Sequence, residues 1–298
     1  MRAPFSPWPS EFRVSILIRY ADPLRAMNQS SKPVAILGAG NIGTAIADGM
    51  VQEERFQPSE VLLTRRKVDL LAPFAKRGFG VLSDNTQAVR LAHVVIVAVE
   101  PQQIDGLLAE IGTHLQADKH TVVSVASGVA IADIKRHVPV GVAVVRAMPN
   151  TAVAIRESMT CLASEHADRE AIRVVQPIFD ALGRTLVLDE EQMIAATALG
   201  ACGIAFFLRA IRAASQGGIE IGLHTNEALL IAAQTARGAA SLLLTRKYHP
   251  EDEIDRVTTP RGCTIAGLNR MEHEGFSSAL IRGIVTSAEK AGRLYKKE

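Results

Sequence analysis

The sequence predicts a doubly wound α/β domain followed by an all-helical domain. Three observations carry that prediction. Short, wholly apolar runs alternate with helical patterns from Pro33 to about Leu188. After Asp189 the strand signals stop and long Ala-rich helical patterns take over. Aromatic residues make up only 4% of the chain, which favours closely packed helices and βα units over an all-β sandwich. The length of 298 residues suits two domains of ~150 residues each.

The elements follow in order. Val34–Leu37 is an apolar strand, and Gly38 to Met50 turns into a helix. Val61–Leu63 is a second strand, Val68 to Lys76 a second helix, and Val81-Leu82 a short third strand. Thr86 to Ala92 is helical, Val94 to Val99 a strand, Ile104 to Leu115 a helix and Thr121 to Val125 a strand. Ile131 to His137 is a short helix and Ala143 to Arg146 a strand. Thr160–Ala163 and Thr185–Leu188 bracket a helix from about Ala167 to Leu182. Strands apolar throughout and separated by helices predict a parallel sheet covered on both faces.

The helical half comprises Glu190 to Ala214, Thr225 to Leu244, Ile265 to Glu274 and Ser277 to Tyr295. Helices this apolar lack a face they can safely expose, so a subunit interface is expected. A homodimer or a higher homo-oligomer is therefore predicted. The net charge of +2 gives no reason to expect a nucleic-acid or membrane partner. No uninterrupted apolar stretch approaches ~18 residues, so no membrane span is expected. Cys161, Cys202 and Cys263 are widely spaced, which argues against a metal site or a disulfide framework and fits a reducing cytoplasm. Residues 1–32, with several prolines and arginines and one short apolar run, read as a poorly ordered extension, with Met27 as an equally good start.

Gly38-Ala39-Gly40-Asn41-Ile42-Gly43 matches GxGxxG directly after a strand and at the opening of a helix. That context marks a Rossmann-type dinucleotide site: a tight turn at the first glycine, backbone approach to the pyrophosphate at the second, close helix–strand packing at the third. Asn41 and Ile42 sit at the helix N-terminus, where free amides and a partial positive charge favour phosphate. An acid ending the second strand would bind a ribose 2′-hydroxyl; here Thr64-Arg65-Arg66-Lys67 stands instead, which suits a 2′-phosphate. The expected cofactor is NADPH, with NADH as the alternative. Asp84-Asn85 follows the third strand, where Asn85 can reach the adenosine half. Ala98, Val99 and Pro101 close the fourth strand at the switch point, with small Ala98 leaving room and Pro101 stopping the strand.

Five segments, in order, resemble one family. Gly38–Gly43, Ala98-Val99-Glu100-Pro101-Gln102, Ser124–Val129, Arg146-Ala147-Met148-Pro149-Asn150-Thr151 and above all Val257–Leu268 are similar to the motifs of pyrroline-5-carboxylate reductases. The resemblance runs from about Val34 to Leu294. It implies NAD(P)H-dependent reduction of 1-pyrroline-5-carboxylate to proline, and an interlocked helical dimer often assembled into a decamer. Departures fall inside the motifs. Glu100 stands where the family usually has Lys, Ala152 where it has Pro, Arg261 where it has Gly and Cys263 where it has Thr.

Such a reduction places a hydride on a ring C=N, and an iminium substrate needs little acid–base machinery. The protein must hold the carboxylate, orient the ring and exclude water. Pro260 to Thr264 suits the first task. A helix starting at Thr264 or Ile265 would aim the amides of Gly262, Cys263 and Thr264 at an anion, with Gly262 allowing an unusual backbone conformation. The Thr264 hydroxyl adds a donor to the carboxylate or to the imine nitrogen, and is the expected catalytic group. A plain N-cap is the alternative. Cys263 is expected to serve in packing or through its backbone rather than as a nucleophile, because hydride transfer needs none. Met148-Pro149-Asn150 forms either a wall beside the nicotinamide or a structural turn.

The expected organisation is thus an extension over 1–32, an NADP-binding domain over 33–188 and a helical dimerisation and substrate domain over 189–298. The location is expected to be cytoplasmic. A β-hydroxyacid dehydrogenase would need a Lys general base on the first long helix, and Glu190 to Ala214 contains none. Two other readings keep the fold: a reductase of a different cyclic imino acid, and a non-catalytic NADPH-binding regulator.

Overall fold

The computed structural model describes residues 33–52, 56–165, 168–246 and 248–295; the extension read over 1–32 lies outside them. Eight strands are β1 (Val34–Leu37), β2 (Val61–Thr64), β3 (Gly80–Leu82), β4 (Val94–Val97), β5 (Thr121–Ser124), β6 (Ala143–Met148), β7 (Ser158–Ser164) and β8 (Gly183–Val187). They form one sheet in the order β3-β2-β1-β4-β5-β6-β7-β8. Val34 sits opposite both Val61 and Val94, so the chain order reverses on either side of β1. That reversal opens a crevice at the carboxyl ends of β1 and β4.

Six helices serve the sheet: α1 (Asn41–Gln52), α2 (Ala72–Lys76), α3 (Asn85–Leu91), α4 (Ile104–Ile111), α5 (Ile131–Lys135) and α6 (Arg169–Asp180). Alternation along the strands divides the core in two. Val34, Ile36, Leu63 and Ile96 pack with Ile46 and Met50 of α1 and Phe179 of α6 on one face. Ala35, Leu37, Val95 and Val97 pack with Val89 of α3, Leu108 of α4 and Ile134 of α5 on the other. The wholly apolar strands are the consequence, since neither face meets water.

One pairing departs from the parallel sheet expected. β7 runs antiparallel to β6, with Met148 opposite Cys161. The reason is length: Pro149 to Glu157, with a 3₁₀ turn over Thr151–Ile155, is too short for a right-handed crossover, which takes a dozen or more residues. β8 then returns parallel to β7 through α6.

Two buried polar groups tie elements together. His120 is buried; its Nδ1 accepts from the Gln116 amide at 2.8 Å, and its Nε2 lies 3.1 Å from the Val89 carbonyl. Burial holds its pKa below the ordinary imidazole value. Arg146, 5% exposed on β6, pairs with Glu190 at 3.2 Å, and the same carboxylate oxygen accepts from the Ile131 amide at 2.6 Å. Glu190 therefore ties the start of the helical half to β6 and to the start of α5.

The helical half contains α7 (Met193–Ala196), a π-turn over Thr197–Cys202, then α8 (Gly203–Glu220), α9 (Thr225–Arg246), α10 (Pro250–Val257), α11 (Cys263–His273) and α12 (Phe276–Ala291). The π-turn and α10 were not expected from the sequence. Uninterrupted apolar runs gave no reason to expect a membrane span, yet by length and overall composition 190–220 and 225–246 are each long and apolar enough to cross a membrane. In this chain Phe207, Leu208, Leu230, Ile231 and Ile281 are each more than half exposed. Past α12, Tyr295 donates to Asp105 of α4 at 2.6 Å, a bond that pushes its phenol up to about 12.

Candidate active site

The crevice at the switch point is a cleft of about 790 Å³. Of the residues singled out from sequence, Gly38, Gly40, Thr64, Arg65, Arg66, Asn85, Ala98 and Val99 line it. Asn41, Ile42, Gly43 and Pro101 do not. Asn41 opens α1, Ile42 packs into the core, Gly43 closes α1 onto β1 and Pro101 opens a 3₁₀ turn. Lys67, Glu100, Gln103, Gly106, Leu107 and Glu110 also line the cleft. Sequence reasoning missed the α4 contribution, although Gln103, Gly106, Leu107 and Glu110 are spaced as one helical face.

The glycine turn is built for close approach. Gly38 has φ +84°, and a Cβ there would lie 2.5 Å from Val99 Cγ1 and 2.9 Å from the Ala98 carbonyl oxygen. At Gly43 a Cβ would come within 3.1 Å of Ile36 Cγ2. At Gly40, by contrast, a Cβ would meet only the Gly38 carbonyl oxygen at 3.9 Å, so open cleft reaches the bare backbone. This is the space a pyrophosphate needs beside a helix N-terminus. Arg65, Arg66 and Lys67 have no ion-pair partner among the described residues, which leaves three cations for a phosphate. The residues fit a phosphorylated dinucleotide. Thr64 corrects one detail: its buried hydroxyl donates to Asn85 Oδ1 at 2.6 Å, and is spent on orienting that side chain rather than offered to the phosphate.

The Pro260–Thr264 loop also differs in detail from expectation. α11 starts at Cys263, with Gly262 as N-cap. The Gly262 amide is not free: it donates to the Thr259 carbonyl at 2.9 Å. Nor does Gly262 adopt an unusual conformation, with φ −76°. Its lack of a side chain is needed for space, since a Cβ would lie 2.4 Å from Thr259 Oγ1. The left-handed residue is Arg261, at φ +60°. The amides of Cys263, Thr264 and Ile265 form the first turn of α11 and have no intrahelical acceptor. Cys263 and Thr264 are exposed, and no residue of this loop lines the cleft.

Asn150 is a joint between the two halves. Its backbone amide donates to Ser158 Oγ at 3.1 Å, its Oδ1 accepts from Ala152 at 3.0 Å, and its Nδ2 donates to the Gly200 carbonyl of the π-turn at 3.1 Å. A π-turn leaves carbonyls displaced from the α ladder, and this one is satisfied from the sheet side.

Comparison with known proteins agrees with this geometry. Residues 190–294 match the family model for pyrroline-5-carboxylate reductase dimerisation, and residues 33–128 match that for NADP oxidoreductase, coenzyme F420-dependent. Pyrroline-5-carboxylate reductase 2 of Dictyostelium discoideum is 45% identical over 281 residues, which cover 89% of this chain and 94% of that protein. The chain belongs to the pyrroline-5-carboxylate reductase family. Pyrroline-5-carboxylate reductase 1 of the same organism is 52% identical over 88% of the chain, and the chain spans 50% of its length. A solved pyrroline-5-carboxylate reductase from Coxiella burnetii superimposes with a TM-score of 0.83 at 27% identity, covering 90% of this chain and all of that one. The dimerisation model covers both long apolar helices, which supports an association role for their exposed faces.

Proposed function

We infer that the chain reduces 1-pyrroline-5-carboxylate to L-proline with NADPH. The observation that carries this is the 45% identity, over 94% of its length, to a pyrroline-5-carboxylate reductase. The cleft supports it with a bare-backbone phosphate turn and three cations that have no ion-pair partner among the described residues. When bound, the dinucleotide supplies the hydride for the imine carbon. Gly38 and Gly40 hold its pyrophosphate, and Arg65 and Arg66 its 2′-phosphate. The first-turn amides of Cys263 and Thr264 receive the substrate carboxylate, and the Thr264 hydroxyl lies within reach of the imine nitrogen or the carboxylate. Gly262 serves by letting the loop fold tightly on Thr259.

The division at 188/189 into a cofactor half and a helical substrate half belongs to this reading, as do a cytoplasmic location and assembly as a dimer or decamer. Dimerisation has a catalytic purpose here. The Thr264 loop is exposed and absent from the lining of its own cleft, so association through α8, α9 and α12 brings a loop to the nicotinamide end.

NADPH oxidation measured with pyrroline-5-carboxylate and its six-membered homologue, and NADP reduction with 3-hydroxy acids, tests the function. Fastest turnover with the five-membered imine is expected. Preference for the six-membered ring would reassign the substrate, and tight NADPH binding with no turnover on any of them would leave a regulator.

A further inference from the structure

Two carboxylates, Glu100 and Glu110, line the cleft beside its three cations, and side-chain hydrogen bonds orient that of Glu110. Asn85 Nδ2 lies 3.1 Å from Glu110 Oε1 and 3.2 Å from Oε2. Asn85 Oδ1 in turn accepts from the buried Thr64 hydroxyl at 2.6 Å. This chain crosses from β2 through α3 to α4 and fixes the amide's orientation. A flipped Asn85 would set its carbonyl against the carboxylate. Glu110 has about four lone-pair sites and the Asn85 contact occupies part of them, so its oxygens remain acceptors toward the cleft.

The rest of the α4 wall is shaped for a planar base. Gly106 and Leu107 lie one turn before Glu110 on the same face, and a Cβ on Gly106 would meet nothing within 4 Å. The wall is therefore bare at Gly106 and apolar at Leu107. With the pyrophosphate on Gly38–Gly40 and the 2′-phosphate on Arg65–Lys67, the part of the dinucleotide left for this wall is adenosine. A carboxylate there repels acceptors and favours donors, and adenine presents a 6-amino donor on its edge.

We propose that Glu110, oriented by Asn85 and Thr64, accepts a hydrogen bond from the adenine 6-amino group and so selects adenine over 6-oxo purines in the cofactor. The proposal rests on the NADPH reading above. It is tested by direct binding, through quenching or calorimetry, of NADPH and of its hypoxanthine analogue, in which a carbonyl replaces the 6-amino group. The wild type is expected to bind NADPH at least about tenfold more tightly than the analogue. In Glu110→Gln, whose amide can turn either its acceptor oxygen or its donor NH2 to the base, the two cofactors are expected to bind within about threefold of each other. Glu110 is exposed on α4, and an unchanged melting temperature checks that the variant folds. Equal binding of both cofactors by the wild type, or an unaltered preference in Glu110→Gln, overturns the proposal. Equal weakening of both cofactors by the substitution also overturns it and points to the ribose 3′-hydroxyl as the partner. Failure of the wild type to bind NADPH at all is a separate outcome and removes the cofactor reading beneath it.

Discussion

At the scale of single residues, the site turns on a few atoms whose roles the geometry separates. Thr264 sits at the second position of α11 with a free amide and an exposed hydroxyl. Thr264→Ala is expected to lower kcat/KM for the imine by about 10- to 100-fold, with NADPH affinity near wild type. An unchanged kcat/KM would remove Thr264 from the site. Arg261 makes a contrasting case. It holds φ +60°, where the family resemblance puts glycine and where a side chain costs about 1–2 kcal/mol. Arg261→Gly is therefore expected to raise unfolding stability by about 1 kcal/mol in urea melts, part of the strain relief being offset by the freer unfolded chain. A loss of stability would mean that the guanidinium makes contacts worth more than the strain. The sequence located this loop, but assigned the special conformation to Gly262; only the backbone shows that Gly262 is needed for space and Arg261 carries the positive φ.

At the scale of elements, His120 links the start of β5 to the end of α3 through two neutral-ring contacts. Its pKa is depressed, first by burial. The folded state therefore binds fewer protons than the unfolded state as pH falls through the imidazole range. Stability from this site is present above about pH 6.5, the ordinary imidazole value, and is lost as pH falls below it. Denaturant melts from pH 8 to pH 5 are expected to show that loss in the wild type and a flatter profile in His120→Gln; parallel profiles would show that His120 does not set it. Element by element, the sequence was legible wherever period and burial agreed. β1, β4 and β5 read directly because both faces of the sheet are covered. β7 did not reveal its direction, although the missing helix between Arg146 and Thr160 was the available signal. α10 was passed over because its exposed, acidic face carries no apolar period, yet Pro250 at its first position and the His249–Asp252 capping box are start signals. The π-turn depends on a bond from Asn150 across 50 residues, which no local pattern encodes.

At the scale of the whole molecule, the two halves have opposite surfaces. The sheet half buries its apolar residues within itself, whereas α8, α9 and α12 leave theirs uncovered in a single chain. Composition foretold that association, and the match to a dimerisation domain supports it. The chain is expected to sediment as a dimer or larger species at micromolar concentration, and Leu230→Glu, which puts a charge on an exposed apolar helix, to shift it toward monomer with loss of activity. An active wild-type monomer would break the link between association and the Thr264 loop. The cofactor half was the more legible from sequence because its glycine turn and basic strand end are local. The substrate end was less so, because the loop and the cleft are far apart in the chain and no residue of the loop lines the cleft.

Hydride transfer itself gives the most direct test. The purified chain, incubated with NADPH deuterated at both C4 positions and with 1-pyrroline-5-carboxylate, is expected to yield proline carrying one deuterium at the former imine carbon by mass spectrometry. Proline without deuterium at that carbon, or no proline despite bound cofactor, would contradict the account.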